Sequence, residues 1–459
     1  MSRERFTSVT PGTLSWQIML VVFAAAVVAR LLNIAILPLE PEIILGEDAW
    51  AYWNNATALA QHGVFADAPN AGRMPGYFIL LAGLHWLFGP SLFWVLAVQG
   101  LLDAVICVLV AMIGARLSVS VGLVAGLLAA VWPNLIIMSA SVLTDSFFLL
   151  PFTAMLYAVL RYLESGSARW AAWTGLFLGA AIMVRAVAQY LPLAMLPLVI
   201  ALPWWRWRDL RRGVAAGLAF LVAMALPLTP WLHRNVTQFD SMALTSQGGV
   251  HLHFWVLPSI YSITRGVTTT QAQEDINANF DTYSAARGLV MDEMNVFARS
   301  RVMTDFSLAE LSRMPARDIA QAWGYGMGLN FFFPALAIDP RMRALSHPSF
   351  ASTSHLDLIS RVTSYLQEAS PVYLAAAAMG LVFAVVASGL QLYGFILLAR
   401  ISGWIALVAA GGVLYFLLIS GPIVSPKYRL PFEPGLIILQ AMALVDLWPW
   451  LKRLTGGKI

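Results

Sequence analysis

Two carboxylates and a set of cations in unexpected places are the chemically expressive residues of this chain. Asp48, with Glu47 before it, opens EDAWAYWNNATALAQHG, and Asp145 opens a long apolar run after Thr144. Each also stands where a helix N-terminus favours an acid, because an acid there meets orphan amides and the positive dipole end. Arg73, Arg185, Arg234, Lys427 and Arg429 fall at or just beyond the ends of apolar runs, on the side away from most other arginines. A cation placed there needs an anion, either a lipid headgroup or a specific phosphate. Snorkelling, or pairing with Asp or Glu, is the plain reading of any single one, and Arg30 inside the first run keeps that reading. Lys427 and Arg429 flank Tyr428 in SPKYRLP, where Pro426 and Pro431 limit the backbone, so two cations can be held close to one phosphate.

A carboxylate facing such cations at a membrane surface suits sugar transfer from a polyprenyl phosphate. The phosphate is already a good leaving group, so one general base on the acceptor hydroxyl suffices, where glycosidases need two carboxylates. The carrier diester leaves as a more negative monoester, which fixed cations stabilise beyond the ground state. Other polar residues carry less. Asp103, inside a run, is costly unless paired. His251 and His253 in GGVHLHFW have no carboxylate or Cys at metal-ligand spacing, so a polar loop is expected. Cys107 is the single cysteine, which excludes a disulfide framework and a thiol pair, and it reads as a small buried hydrophobe.

The elements that position these residues follow from composition. Of 459 residues, 59% are hydrophobic and 11% charged, and the mean hydropathy is +0.73. Such a chain is dissolved in lipid. Its net charge of +4 sets orientation in a polytopic protein and is no sign of nucleic-acid binding. Apolar runs near the spanning length of about 20 residues lie at 15–37, 91–117, 119–138, 145–163, 170–189, 190–204, 212–231, 371–399, 402–420 and 430–449, the sixth being short. The first, after MSRERF, is too long for a signal h-region and lacks a clear cleavage site, so it is expected to stay as a span. An all-α polytopic membrane protein of about ten transmembrane helices is expected. With a cytoplasmic N-terminus, Arg3, Arg5, Arg116, Arg161, Arg169, the cluster from Arg206 to Arg212, Arg400 and the C-terminal Lys452, Arg453 and Lys458 share one side.

Two segments leave the membrane on the other side. In 38–89, EDAWAYWNNATALAQHG reads as an interfacial amphipathic helix with Trp50, Tyr52 and Trp53 in the headgroup layer, and MPGYFILLAGLHWLFG as an interfacial or re-entrant helix begun by Pro75. The second, 232–370, is long enough for a small, mostly helical extracytoplasmic domain between transmembrane regions 1–231 and 371–459.

These motifs together resemble the GT-C superfamily, in particular its bacterial protein O-mannosyltransferase-like branch, which also contains the lipid A aminoarabinose transferases. GEDAWAYWNNATALAQHGVF followed by RMPGYFILLAGLHWLFG is similar to that branch's acidic motif, small-residue helix and Arg-x-Pro-x-Tyr segment. SVLTDSFFLL resembles its second outer loop and MVRAVAQYLPLAM its arginine-bearing helix. PWLHRN, SQGGVHLHF and SPKYRLPFEP resemble later segments in matching order. The resemblance implies an inverting hexosyl- or pentosyltransferase that takes a monosaccharide from a polyprenyl-phosphate donor and gives it to an extracytoplasmic acceptor, whether glycan, lipid or protein. Asp48 falls at the catalytic carboxylate, Asp145 at the second acidic position, and Lys427 and Arg429 at carrier-phosphate positions, with Arg73, Tyr77, Arg185, Arg234 and Tyr428 as further substrate-binding residues. Many relatives have Asp then Glu where this chain has Glu47 then Asp48, so either can be the base. No metal or cofactor is expected. Placement in the inner (plasma) membrane, with lipids as partners and the site on the periplasmic face, goes with this reading.

A transporter or flippase of a phosphate-bearing lipid is the alternative, with the same cations and no chemistry. It calls for ionisable residues along several spans and for internal repeats; neither is evident here. A noncatalytic scaffold leaves Asp48, Arg73 and Arg429 without a reason.

Overall fold

A computed structural model of the protein describes residues 12–63, 72–349, 353 and 356–454. Among the described residues there are helices and no strand. The N-terminal part holds α1 (Trp16–Ala35), α2 (Pro41–Ile44), α3 (Glu47–His62), α4 (Gly76–Phe88), α5 (Leu92–Ala115), α6 (Val119–Val131), α7 (Pro133–Ser139), α8 (Thr144–Ser165), α9 (Ala168–Val184), α10 (Leu191–Trp207) and α11 (Leu210–Phe239). A second group follows, α12 (Gln247–His251), a π-helical turn (Leu252–Val256), α13 (Leu257–Arg265), α14 (Thr269–Ala285), α15 (Val296–Arg313), α16 (Ala316–Phe332), α17 (Pro340–Arg343) and α18 (Leu358–Glu368). The chain ends in α19 (Pro371–Ile401), α20 (Gly403–Ser420), a 3₁₀ segment (Pro426–Phe432) and α21 (Glu433–Leu454).

The polytopic all-α expectation holds, and the count of spans is refined. Among the described residues, seven helices are long and apolar enough to cross a bilayer, or eight if α6 and α7, bent by 50° at Trp132, form one broken span. The runs at 170–189 and 190–204 become α9 and α10, each 17 residues, short of the usual ~20. At 13 residues, α4 reaches only about 20 Å, which agrees with an interfacial or re-entrant helix. α11 continues past Trp231 to Phe239, so the run expected at 212–231 and the start of the segment expected outside the membrane share one helix. Within that segment the helices pack around a core of Leu257, Tyr261, Ala272, Ile276, Phe280, Met303 and Phe306.

Local rules explain many boundaries. Pro133 occupies the first turn of α7 and forces Trp132 into an extended conformation, which breaks the helix there. Ser370 accepts from the Tyr373 amide and precedes Pro371 at the head of α19. Glycines let α9 lie directly on α11: the Phe220 and Met224 carbonyls stand where side chains at Gly175 and Gly179 would go. This small-xxx-small spacing is how helices approach closely in lipid.

The two ends of the bundle differ in chemistry. At one end Arg116 and Arg161 pair with Glu164, and Arg206 and Arg212 donate to carbonyls of Leu163, Ser165 and Gly166. α8 begins at the opposite end with Thr144 and Asp145, and the acid-and-cation residues gather there.

Candidate functional site at the acidic end of the bundle

Asp48 lies in the first turn of α3, but Gly46 is the cap residue and no side chain caps the helix. Its carboxylate is engaged by cations from two distant parts of the chain: Arg73 Nη2 donates to Oδ1 at 3.1 Å and Lys427 Nζ to Oδ2 at 3.4 Å. The Asp48 side chain is 53% exposed, so it is both paired and reachable. Burial disfavours its charge, yet Lys427 and Arg73 outweigh that and hold the carboxyl below the usual carboxylate range. Glu47 begins α3, and its side chain lies outside the described residues.

Asp145 forms a second pair deeper in the same region. It is buried and bound to Arg185 Nη1. Arg185 ends α9 and lies within electrostatic reach of Tyr428, Tyr52 and Asp48, which joins the two pairs into one cluster. Gly76 brings α4 against the end of α9, where a Cβ would meet the Met183 carbonyl at 2.7 Å. That contact sets Arg73 and Arg185 on neighbouring walls.

Of the expected site residues, Asp48, Arg73, Lys427, Tyr428, Asp145 and Arg185 are brought together. Tyr77 sits behind them. It is fully buried, donates to Gln99 Oε1 at 2.5 Å and meets the Tyr52 ring edge-on at 5.3 Å, so it supports Tyr52 from beneath. Gln99 in turn donates to the Ser139 and Ser141 carbonyls, both at 3.1 Å. Arg234 contacts Trp231, Phe239 and Asn235 of its own helix, none of them a cluster residue. Arg429 is turned into the bundle, 4% exposed, where Nε donates to Glu433 Oε1 at 2.6 Å and Nη1 to the Phe331 carbonyl.

Three contributors went unrecognised in the sequence. Tyr52, assigned there to the headgroup layer, is buried with the Arg73 guanidinium 5.3 Å from its ring centre; its spacing of four residues from Asp48 on a helix was the available signal. His251, assigned to a polar loop, ends α12 near Lys427, and burial with that charge beside it lowers its pKa, so the ring is neutral at neutral pH. No local pattern announces it. Glu433, four residues after Arg429, is completely buried and is again visible only as spacing. Among the described residues no group of three or more His, Cys, Asp or Glu side chains comes together.

Against known proteins, a family model described as dolichyl-phosphate-mannose-protein mannosyltransferase matches residues 68–231. That stretch includes Arg73, Asp145 and Arg185. No curated protein sequence matches the chain. In fold it is similar to an archaeal oligosaccharyltransferase, AglB from Archaeoglobus fulgidus, solved with an inhibitory peptide and a dolichol-phosphate. The TM-score is 0.51 at 11% identity, over 96% of this chain and 52% of that one, so the chain spans about half the length of the structure it matches. ArnT from Cupriavidus metallidurans bound to undecaprenyl phosphate matches at 16% identity with a TM-score of 0.41, over 96% of this chain and 81% of that one. The sequence match is thus to a protein mannosyltransferase family over residues 68–231, and the likeness to the oligosaccharyltransferase is one of fold.

Proposed function

We propose that the chain is an inverting glycosyltransferase that moves a monosaccharide from a polyprenyl-phosphate carrier to an acceptor on the extracytoplasmic face of the plasma membrane. The observation that carries this reading is the half-exposed Asp48 carboxylate held between Arg73 and Lys427 at one end of a lipid-embedded bundle. Asp48 takes the proton of the acceptor hydroxyl. The hydroxyl oxygen then attacks the anomeric carbon from the face opposite the phosphate, the bond from that carbon to the phosphate oxygen breaks, and the carrier leaves as a phosphate monoester.

The same cations give this site an internal switch. Before donor binds they neutralise Asp48, and a donor phosphate competes for them, Lys427 first because its chain is flexible and its charge a point. Losing a cation raises the basicity of Asp48 when a base is needed. In the transition state the cations meet the growing charge on the carrier phosphate. The buried pair Asp145–Arg185 holds Arg185 beside Tyr428 and Tyr52 and lines the approach to Asp48.

The test is transfer of labelled sugar by the purified chain from polyprenyl-phosphate sugars to a cell-envelope extract, with the anomeric configuration of the product read by NMR. Transfer with inversion is expected. Retention, or no transfer from any carrier sugar, removes the reading.

A further inference from the structure

Glu433 is the point where four segments of the protein meet. Its side chain is 0% exposed, and its two oxygens accept three hydrogen bonds: from Trp132 Nε1 at 2.9 Å, from Asn134 Nδ2 at 2.5 Å and from Arg429 Nε at 2.6 Å. Trp132 and Asn134 are available because Pro133 breaks the helix between α6 and α7. Each donor then reaches onward: Arg429 Nη1 donates to the Phe331 carbonyl at the end of α16, and Asn134 Oδ1 accepts from the Ala335 amide at 2.9 Å. A buried carboxylate bears such a position only when its charge and lone pairs are met; here the Arg429 charge and three donors meet them.

The spacing along the chain gives this assembly its consequence. Arg429 follows Lys427 and Tyr428 in the 3₁₀ segment Pro426–Phe432, between Pro426 and Pro431, and Asn330 Oδ1 accepts the Ser425 amide at 2.9 Å. The segment is pinned before Lys427 by Asn330 and after Tyr428 by the Arg429–Glu433 pair. Between the pins, beyond the buried Pro426, Lys427 pairs with Asp48, and Tyr428 lies near Arg185 while packing on the cluster that holds Val256 and Ile260. With its charge already balanced by Glu433, Arg429 holds the segment.

We propose that Glu433 is a positioning residue that, through Arg429, Trp132 and Asn134, sets the segment bearing Lys427 and Tyr428 against Asp48, and that Arg429 anchors this segment and makes no contact with the carrier phosphate. This rests on the function proposed above and deepens it, because it leaves Lys427 as the cation of this segment that meets the phosphate. It also changes the role expected of Arg429 from its sequence position.

The full chain in nanodiscs tests this with three variants, Glu433→Gln, the double variant Arg429→Gln/Glu433→Gln, and Lys427→Ala as reference. The probe is a sugar-free polyprenyl monophosphate, and the acylation rate of the Lys427 amine, followed by mass spectrometry, gives a second readout that needs no ligand. Glu433→Gln leaves a buried guanidinium unpaired, and is expected to weaken probe binding about tenfold and raise Lys427 acylation several-fold. The double variant removes both charges but keeps two side chains able to bond each other, and is expected to bind within about threefold of the parent with Lys427 protected again. Double-variant binding as weak as that of Lys427→Ala would place Arg429 on the phosphate, and unchanged acylation in a folded Glu433→Gln would end the positioning role. If Lys427→Ala alone leaves probe binding intact, the carrier-phosphate reading fails while acylation still decides on Glu433.

Discussion

Two carboxylates of this chain, each held by an arginine, have surroundings that separate the proposed reaction site from a structural one. Asp48 is half exposed between Lys427 and Arg73, the latter also lying over the Tyr52 ring. Asp103 and Arg30 are each 1% exposed, joined at 2.5 Å in the middle of the bundle. Arg30 is fully occupied. It donates to Asp103 Oδ2 through Nε and Nη2, to the Ala129 and Ala130 carbonyls, and to Cys107 Sγ at 3.3 Å. Those two carbonyls belong to the last turn of α6, where helix C-termini leave acceptors orphaned. The inner arginine thus satisfies the broken end of α6, and its guanidinium has no donor to spare for a ligand. Around Asp48 the pairing is half exposed, as the proposed exchange for a phosphate requires.

The comparison breaks most plainly at Asp48. Asp48→Asn keeps the shape of the side chain, and turnover is expected to fall about 100- to 10,000-fold with donor binding retained; the measurement is single-turnover sugar transfer by folded protein. Glu47→Gln run alongside shows which acid is the base. An active Asp48→Asn beside a dead Glu47→Gln moves the role by one residue.

At the inner pair the expected effect is on stability instead. Asp103→Asn or Arg30→Met leaves one buried charge unpaired, a loss of about 3–5 kcal/mol, visible in thermal unfolding of the purified protein. Arg30→Met with Asp103→Leu together should recover much of that, with turnover per folded molecule near the parent's. A turnover defect in that stable double variant would draw the inner pair into the reaction and blur the distinction.

A smaller effect belongs to the cations at Asp48. Lys427→Ala removes a charge-assisted contact to phosphate, expected to cost about 1.5–3 kcal/mol in donor affinity and less where water screens it; titration with a polyprenyl phosphate measures it. Acidity sharpens the same point. Because the folded protein holds Asp48 below the usual carboxylate range, kcat/KM should persist as pH falls through that range and drop only below it. In Arg73→Ala the drop should move to higher pH, and an unmoved acid limb would sever Arg73 from Asp48. Sidedness is the mildest test. Single cysteines at Ser167 and at the exposed Thr282 should label from opposite faces, with the buried Cys107 silent.

Much of this architecture was legible in one dimension, because a bilayer imposes length and polarity on each span. The runs became helices, and Arg116, Arg161, Arg206 and Arg212 converged at one end as their charge suggested, while Arg3, Arg5 and Lys458 lie outside the described residues. Arg73, Arg185 and Lys427 stood out because cations opposite the other arginines need an anion. What the chain could not announce was which anion each one meets. Lys427 and Arg429 are two residues apart and both cationic, yet one faces Asp48 and the other Glu433, since a 3₁₀ segment turns successive side chains to different sides. The tie of Arg30 to Asp103 spans 73 residues and depends on how α1 packs on α5, which periodicity does not encode. Tyr77 shows the converse: its motif marked it, and its depth beneath Tyr52 assigns it a supporting place.

The glycine contact between α9 and α11 gives the protein a point of fragility outside the Asp48 cluster. Gly175 and Gly179 have no room for even a methyl group against the Phe220 and Met224 carbonyls, and α9 carries Arg185 at its far end. An alanine at either position would push the two helices apart within the lipid and carry Arg185 away from Asp145. In a complete substitution map, these two glycines should then be as intolerant as residues that touch the sugar, although both are buried among hydrocarbon side chains.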